Sequence, residues 1–381
     1  MSIRWNTFVL AVVVSLVSLG VQAGSLPEEK ARLSADAFAK MAADLGLREA
    51  AAPSRDHAGW TKPQKIVVWM LDGWDLAELQ AAAPAVEIVG VDSMEAAEAA
   101  IGDAQAMVGA CSERLLSRAP DIDWVQVYSS GVDRCVGNPS FREGRKILTN
   151  GQRIASPALA EHAIALMMGL VRGIDLYHGN QGDGKWRREV GLESSDFMEL
   201  DGRTVLVVGL GGIGTQVARK AHGLGMRVLA TRGSRREGPD YVEYVGLADE
   251  TLTLAAQADI VVNTAPLTDA TRGMFNQAFF AAMKPSAYFV SVGRGASTVT
   301  ADLVAALNNG EIAGAGLDVT DPEPLPQGHP LWTAPRVLIT PHTGGRSDRG
   351  RQRLFLLVQE NLRRYVAGEP LYSVVDIERG Y

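Results

Sequence analysis

The sequence predicts an α/β protein made of two doubly wound parallel-sheet domains. One observation is a rhythm: between Lys65 and Thr340, short apolar runs alternate with segments of helix length, as βαβ units require. A second is that one sheet's worth of runs is complete before a glycine turn, Gly209–Gly214, opens a new unit. The third is size, because 381 residues at 46% hydrophobic and 21% charged can bury two cores. A net charge of −7 argues against the broad basic surface of a nucleic-acid binder.

The first residues stand apart from this pattern. Arg4 supplies a positive charge, Phe8 to Val21 is apolar, and Val21-Gln-Ala23 closes the run with small residues. Residues 1–23 therefore read as a signal peptide cleaved after Ala23, giving an exported protein. Two alternatives stand beside it: an uncleaved membrane anchor, or a soluble cytoplasmic enzyme whose true start is Met41. Glu28 to about Ala52 reads as a helical lead-in, followed by a polar linker through Pro53, Gly59 and Pro63, so residues 24–62 precede the first domain.

Lys65–Met70, Val86–Val91, Ala106–Gly109 and Trp124–Tyr128 are the expected strands of the first sheet, with Ser93–Gly102 one of its helices. The last strand runs into the small-residue loop Ser129–Asp133, at the carboxyl end where open parallel sheets bind ligands. Ser130, Gly131 and Val132 are the candidate contacts there. Cys111 and Cys135 lack metal-ligand spacing, so no metal site is assigned; they read as two isolated buried thiols, with one disulfide the alternative in an exported protein.

Ser156–Val171 is an apolar helix with Pro157 in its first turn, expected to bridge the two sheets. His162 on it reads as a packing or capping residue. Tyr177–Met198 reads as a loop or arm, suited to a subunit contact. Val205–Val208 then enters Gly209-Leu-Gly-Gly-Ile-Gly214, a G-x-G-x-x-G turn opening onto a helix. Gly209 permits the turn, Gly211 lets backbone approach a pyrophosphate, and Gly214 lets helix and strand pack closely, as in Rossmann dinucleotide sites. Gly212 and Ile213 lie at the helix start, whose free N–H groups suit phosphate.

At the end of the next strand, Met226–Thr231, an NAD-type site wants a carboxylate for the ribose 2′-hydroxyl. Here stand Arg232, Ser234, Arg235 and Arg236, which suit a 2′-phosphate. The cofactor expected is NADP(H), with NAD possible. Asp259–Thr264, Ala287–Val292, Ile312–Val319 and Val337–Thr340 complete the second sheet.

Arg294, Glu323 and His342 each lie just past one of these strands. If the strands are parallel neighbours, one edge presents a guanidinium to grip a carboxylate, an imidazole to move a proton, and a carboxylate to orient the imidazole. Gly209–Gly214, Ala265–Thr268, Gly293–Gly295, Gly316–Leu325 and Ile339–His342 resemble, in order, the signature blocks of the D-isomer-specific 2-hydroxyacid dehydrogenases. The likeness runs from about Lys65 to about Gly368.

The resemblance implies a Rossmann domain over 155–340 and a flavodoxin-like substrate domain from 63–154 and 341–381, the latter including the helix Gly350–Ala367. The active site would lie in the cleft between them. It further implies that Arg294, Glu323 and His342 are catalytic and that Ser129–Asp133 holds the substrate carboxylate. Ala265, Pro266 and Val292 would line the cofactor, and Asp318 would contact the nicotinamide carboxamide. Arg232 and Ser234 look like the NADP(H)-using glyoxylate and hydroxypyruvate reductase branch. The substrate implied is a small 2-keto or 2-hydroxy acid. Alternative readings on the same fold are a nucleotide-sensing binding protein and a dehydrogenase of another small anion.

Overall fold

The computed structural model describes residues 26–142, 146–186 and 197–378. The signal or anchor of residues 1–23 lies outside them, as does much of the expected arm. Among the described residues, no helix is long and apolar enough to cross a membrane.

Two parallel sheets form the frame. The first has five strands, β1 (Lys65–Trp69), β2 (Glu87–Val91), β3 (Ala106–Val108), β4 (Trp124–Gln126) and β5 (Ile147–Thr149), in the order β2-β1-β3-β4-β5. The second has seven: β6 (Thr204–Val208), β7 (Arg227–Thr231), β8 (Tyr244–Gly246), β9 (Ile260–Asn263), β10 (Tyr288–Ser291), β11 (Gly314–Leu317) and β12 (Val337–Ile339). Its order is β12-β11-β10-β9-β6-β7-β8, so the winding reverses between β6 and β9. That switch point is where a doubly wound sheet opens a crevice. Val205 to Val208 are all buried, as expected of strands covered by helices on both faces. The short edge strands β5 and β8 were not anticipated; each has three residues, too few to show a period.

The helix Ser156–Val171 lies on the second sheet, where Ala160, Ala163, Met167 and Leu170 share a core with Val205, Val207 and Val290. Close approach there needs glycine, because a Cβ on Gly316 would stand 2.9 Å from the Leu166 Cβ. The helix Gly350–Ala367 returns to the first sheet, burying Val358, Leu362 and Tyr365 against Ile66, Val68 and Trp124.

The lead-in is helical over Leu26–Leu45, but the stretch beyond it is no free linker. Phe38, Met41, Ala42 and Leu45 pack with Ile154, Leu354 and Leu357. The chain is then strapped down by Ser373 N–H to Arg48 O (2.9 Å), Ala50 N–H to Leu371 O (2.8 Å) and Ser54 N–H to Glu369 O (3.0 Å). Polar composition suggested a linker because backbone pairing with a distant segment leaves no trace in side chains.

Arg364 clamps this strap, reaching Glu49 at 2.9 Å and Glu360 at 2.6 Å. Burial would push the Glu360 carboxyl up, yet hydrogen bonds from Arg363 and Arg364 outweigh it and hold the group below the usual glutamate value of 4.5. A depressed acid stabilises the fold above its unfolded value and loses that effect as pH falls through the folded one. Glu360→Gln should therefore cost about 1–3 kcal/mol in urea unfolding at pH 7. Wild type and variant should converge as the pH drops below 4.5; an unchanged gap would show the carboxylate charge to be irrelevant.

Two further expectations are corrected. Cys111 and Cys135 are not separate thiols but a disulfide, with Cα atoms 5.6 Å apart. They follow the neighbouring strands β3 and β4, so residues distant in sequence meet at one sheet edge. The segment from Tyr177 does not begin as a loop: the helix Ile174–Gly182 covers its start, and residues 187–196 lie outside those described.

Candidate active site

The glycine turn lies at the switch point. Gly209 has φ +95°, and a Cβ on it would come 2.8 Å from the Ala265 Cα at the end of β9. A Cβ on Gly214 would stand 2.2 Å from the Gly209 carbonyl, so only glycine lets the helix Gly212–Gly223 start this close to the strand. Thr264 secures the turn by donating to the Gly209 carbonyl at 2.7 Å. On the open side, a Cβ on Gly211 would meet nothing within 4 Å. No side chain caps this helix, and Gly212 and Ile213 are half-buried at its mouth.

At the carboxyl end of β7, Ser234 and Arg235 are exposed and Arg232 is half-buried. The Arg232 Nε is buried without a partner. Arg236, expected to help, turns away to Glu250 at 2.7 Å and the Tyr244 hydroxyl at 2.9 Å. Its guanidinium found a carboxylate nearer than the turn it was meant to serve. An unpartnered guanidinium edge and an uncapped helix start, both beside an open glycine turn, fit a phosphate-bearing dinucleotide.

The parallel register of β10, β11 and β12 puts three loops on one edge. His342 Nδ1 and Glu323 Oε1 are 2.7 Å apart, both side chains partly open to the cleft. Arg294 points across to the first domain, its Nε donating to Asp133 at 3.2 Å and Nη1 to the Gly293 carbonyl at 2.9 Å. The loop Ser129–Asp133 meets it from the other side: a Cβ on Gly131 would lie 1.7 Å from Arg294 Nη2. Within that loop, Ser130 donates to Gly151 O at 2.9 Å, while the Val132 side chain is buried in the first core. Val132 can therefore offer only backbone to a ligand. Ala265 and Val292 are buried and Pro266 is exposed.

Asp318 is buried beside this edge. Its side chain has no accessible surface, and it accepts from Thr340 Oγ1 (2.7 Å) and from the backbone N–H groups of Thr343 and Gly344 (2.9 Å each). It thereby braces the loop carrying His342. His162, which reads in sequence as mere packing, donates from Nε2 to Thr340 at 2.7 Å and joins that brace. Asn263 does the same for Arg294: buried, it donates to Ser291 and Ser297 (3.0 and 2.9 Å), and Ser297 Oγ donates to the Arg294 carbonyl at 2.6 Å. Neither brace is legible in sequence, since each joins residues from different loops; a polar Asn ending an apolar strand was the only signal.

The geometry matches known proteins. Residues 164–344 match the model of the "D-isomer specific 2-hydroxyacid dehydrogenase, NAD binding domain". The chain is similar to a glyoxylate reductase of Pyrococcus furiosus, 34% identical over 293 residues, 73% of this chain and 84% of that protein. It is also similar to the glyoxylate reductase/hydroxypyruvate reductase of Homo sapiens, 36% identical over 262 residues, 68% of this chain and 79% of the relative. The chain belongs to the D-isomer-specific 2-hydroxyacid dehydrogenases. Among solved structures of this family, an NADPH-dependent glyoxylate/hydroxypyruvate reductase from Sinorhizobium meliloti, in complex with NADP and sulfate, superposes with TM-score 0.69 at 28% identity. The match covers 84% of this chain and all of that one. As a member of the family the protein is an oxidoreductase, and the first domain's strand order matches the flavodoxin-like substrate domain that the resemblance implied.

Proposed function

We propose that this dehydrogenase is an NADP(H)-dependent reductase of small 2-keto acids of the glyoxylate and hydroxypyruvate type, giving the D-2-hydroxy acid where C2 becomes a stereocentre. The carrying observation is the His342–Glu323 pair at 2.7 Å, on the same sheet edge as Arg294. Similar proteins named as glyoxylate or hydroxypyruvate reductases, and a neighbour bound to NADP, support the substrate and the cofactor.

When bound, the nicotinamide supplies the hydride that reduces C2. The chain supplies charge, position and a proton. Arg294 grips the substrate carboxylate and C2 oxygen, with Gly131 and its neighbours closing the other side. Glu323 holds His342 through Nδ1, which leaves Nε2 free to protonate the forming alkoxide. Gly209, Gly211, Gly212, Ile213 and Gly214 would hold the pyrophosphate, with Arg232, Ser234 and Arg235 at the 2′-phosphate. In the test, purified protein should oxidise NADPH with glyoxylate or hydroxypyruvate, with kcat/KM at least about tenfold above that with NADH. No turnover on either acid, or a preference for NADH, would overturn the reading.

The N-terminal pattern over residues 1–23, and a disulfide of the sort an oxidising compartment maintains, support an exported protein. The native N-terminal residue should be Gly24; Met1 would instead indicate an anchor, and Met41 or its successor a soluble enzyme. Ile174 and Trp186, 57% and 91% exposed, flank the start of the arm and support a homodimer contact there. A monomer in sedimentation equilibrium would rule that out.

A further inference from the structure

We propose that the lead-in before the family-like stretch contributes a residue to cofactor selectivity: Arg48 joins Arg153, Arg232 and Arg235 in one cationic site for the phosphates of NADP(H). The inference rests on the NADP(H) reading above and extends it to residues from the other domain.

Arg153 stands at the entry to the helix Ser156–Val171 with φ +69°. Its Cγ would be 2.8 Å from a Cβ on Gly212, so its stem lies directly on the glycine turn. Its Nη1 donates to the Leu45 carbonyl at 3.2 Å, where the lead-in helix ends. That end is fixed by Leu45 packing with Ile154, and Arg48 is fixed three residues later by the Ser373 N–H on its carbonyl. From the other domain come Arg232, with its buried unpartnered Nε, and exposed Arg235. Among the described residues, none of these four arginines makes an ion pair with a carboxylate.

Two of the four register the neighbouring charges. Burial first, and then the charges of Arg48, Arg232 and Arg235, hold the Arg153 guanidinium below its ordinary value. Burial, Arg235 and Arg48 act the same way on Arg232, with Glu237 alone opposing. A protein that gathers like charges from three separate segments, with so little acidic relief, has a site whose missing partner is an anion. Its position at the glycine turn and the end of β7 identifies that anion as the phosphorylated cofactor. Arg48, with its side chain exposed, serves the 2′-phosphate, whereas Arg153, on the turn itself, serves both cofactor forms.

The test uses the full chain and steady-state kinetics with NADPH and NADH. Arg48→Ala should raise KM for NADPH about five- to tenfold while moving KM for NADH less than about twofold. It should keep the wild-type melting temperature without cofactor but show a smaller upward shift with NADP. Arg153→Ala should raise both KM values, and Arg118→Ala, at a distant surface pair with Glu98, neither. If Arg48→Ala leaves the NADPH to NADH ratio unchanged while Arg232→Ala collapses it, the lead-in has no part in selectivity and the inference falls alone. If Arg232→Ala also leaves the ratio unchanged, the NADP(H) reading falls with it.

Discussion

Replacing His342 by alanine should lower kcat by about 10²- to 10⁴-fold while leaving the dissociation constant of NADPH within about twofold. The ring is half-exposed and fixed at one nitrogen. Its Nδ1 is taken by Glu323 at 2.7 Å, and its backbone N–H is held by the Asp318 carbonyl at 2.9 Å. At φ +52° the residue sits in left-handed backbone that a non-glycine seldom adopts, so the loop is held there by its bonds and not by preference. Fluorescence titration with NADPH, alongside single-turnover reduction of glyoxylate, separates the two quantities. Undiminished turnover would remove His342 from the chemistry. Glu323→Ala should lose less, because the imidazole remains but no longer has its orienting partner.

The contrast between this pair and its support shows what a sequence can convey. Strands buried on both faces write continuous apolar runs, so β6, β9 and β10 could be read directly, and the polar residues just past them stood out. Parallel register then made their meeting a matter of geometry. The braces could not be read this way. His162 and Thr340 are 178 residues apart, on a helix and a strand end whose packing depends on Gly316 and Leu166. Arg153 likewise gained its place only because a lead-in helix docks beside it. The cysteines misled for a related reason, since their pairing depends on the order β3-β4 in the sheet.

Arg294 carries the second large expectation. Arg294→Ala should lower kcat/KM for the keto acid by about 10²- to 10³-fold, with most of the loss in KM if it binds the carboxylate and most in kcat if it stabilises the alkoxide. Arg294→Lys should recover only part, because an ammonium cannot reproduce the two-pronged grip. In the structure the guanidinium spans the cleft to Asp133 at 3.2 Å, so an arriving carboxylate competes with one already present. Asp133→Asn should therefore tighten substrate binding, provided the loop keeps its shape. Gly131→Ala supplies the control on position: its Cβ would fall 1.7 Å from Nη2, forcing the arginine aside with its charge intact. If Gly131→Ala behaves like wild type while Arg294→Ala is inactive, charge alone suffices. If both collapse, activity depends on where the guanidinium is held.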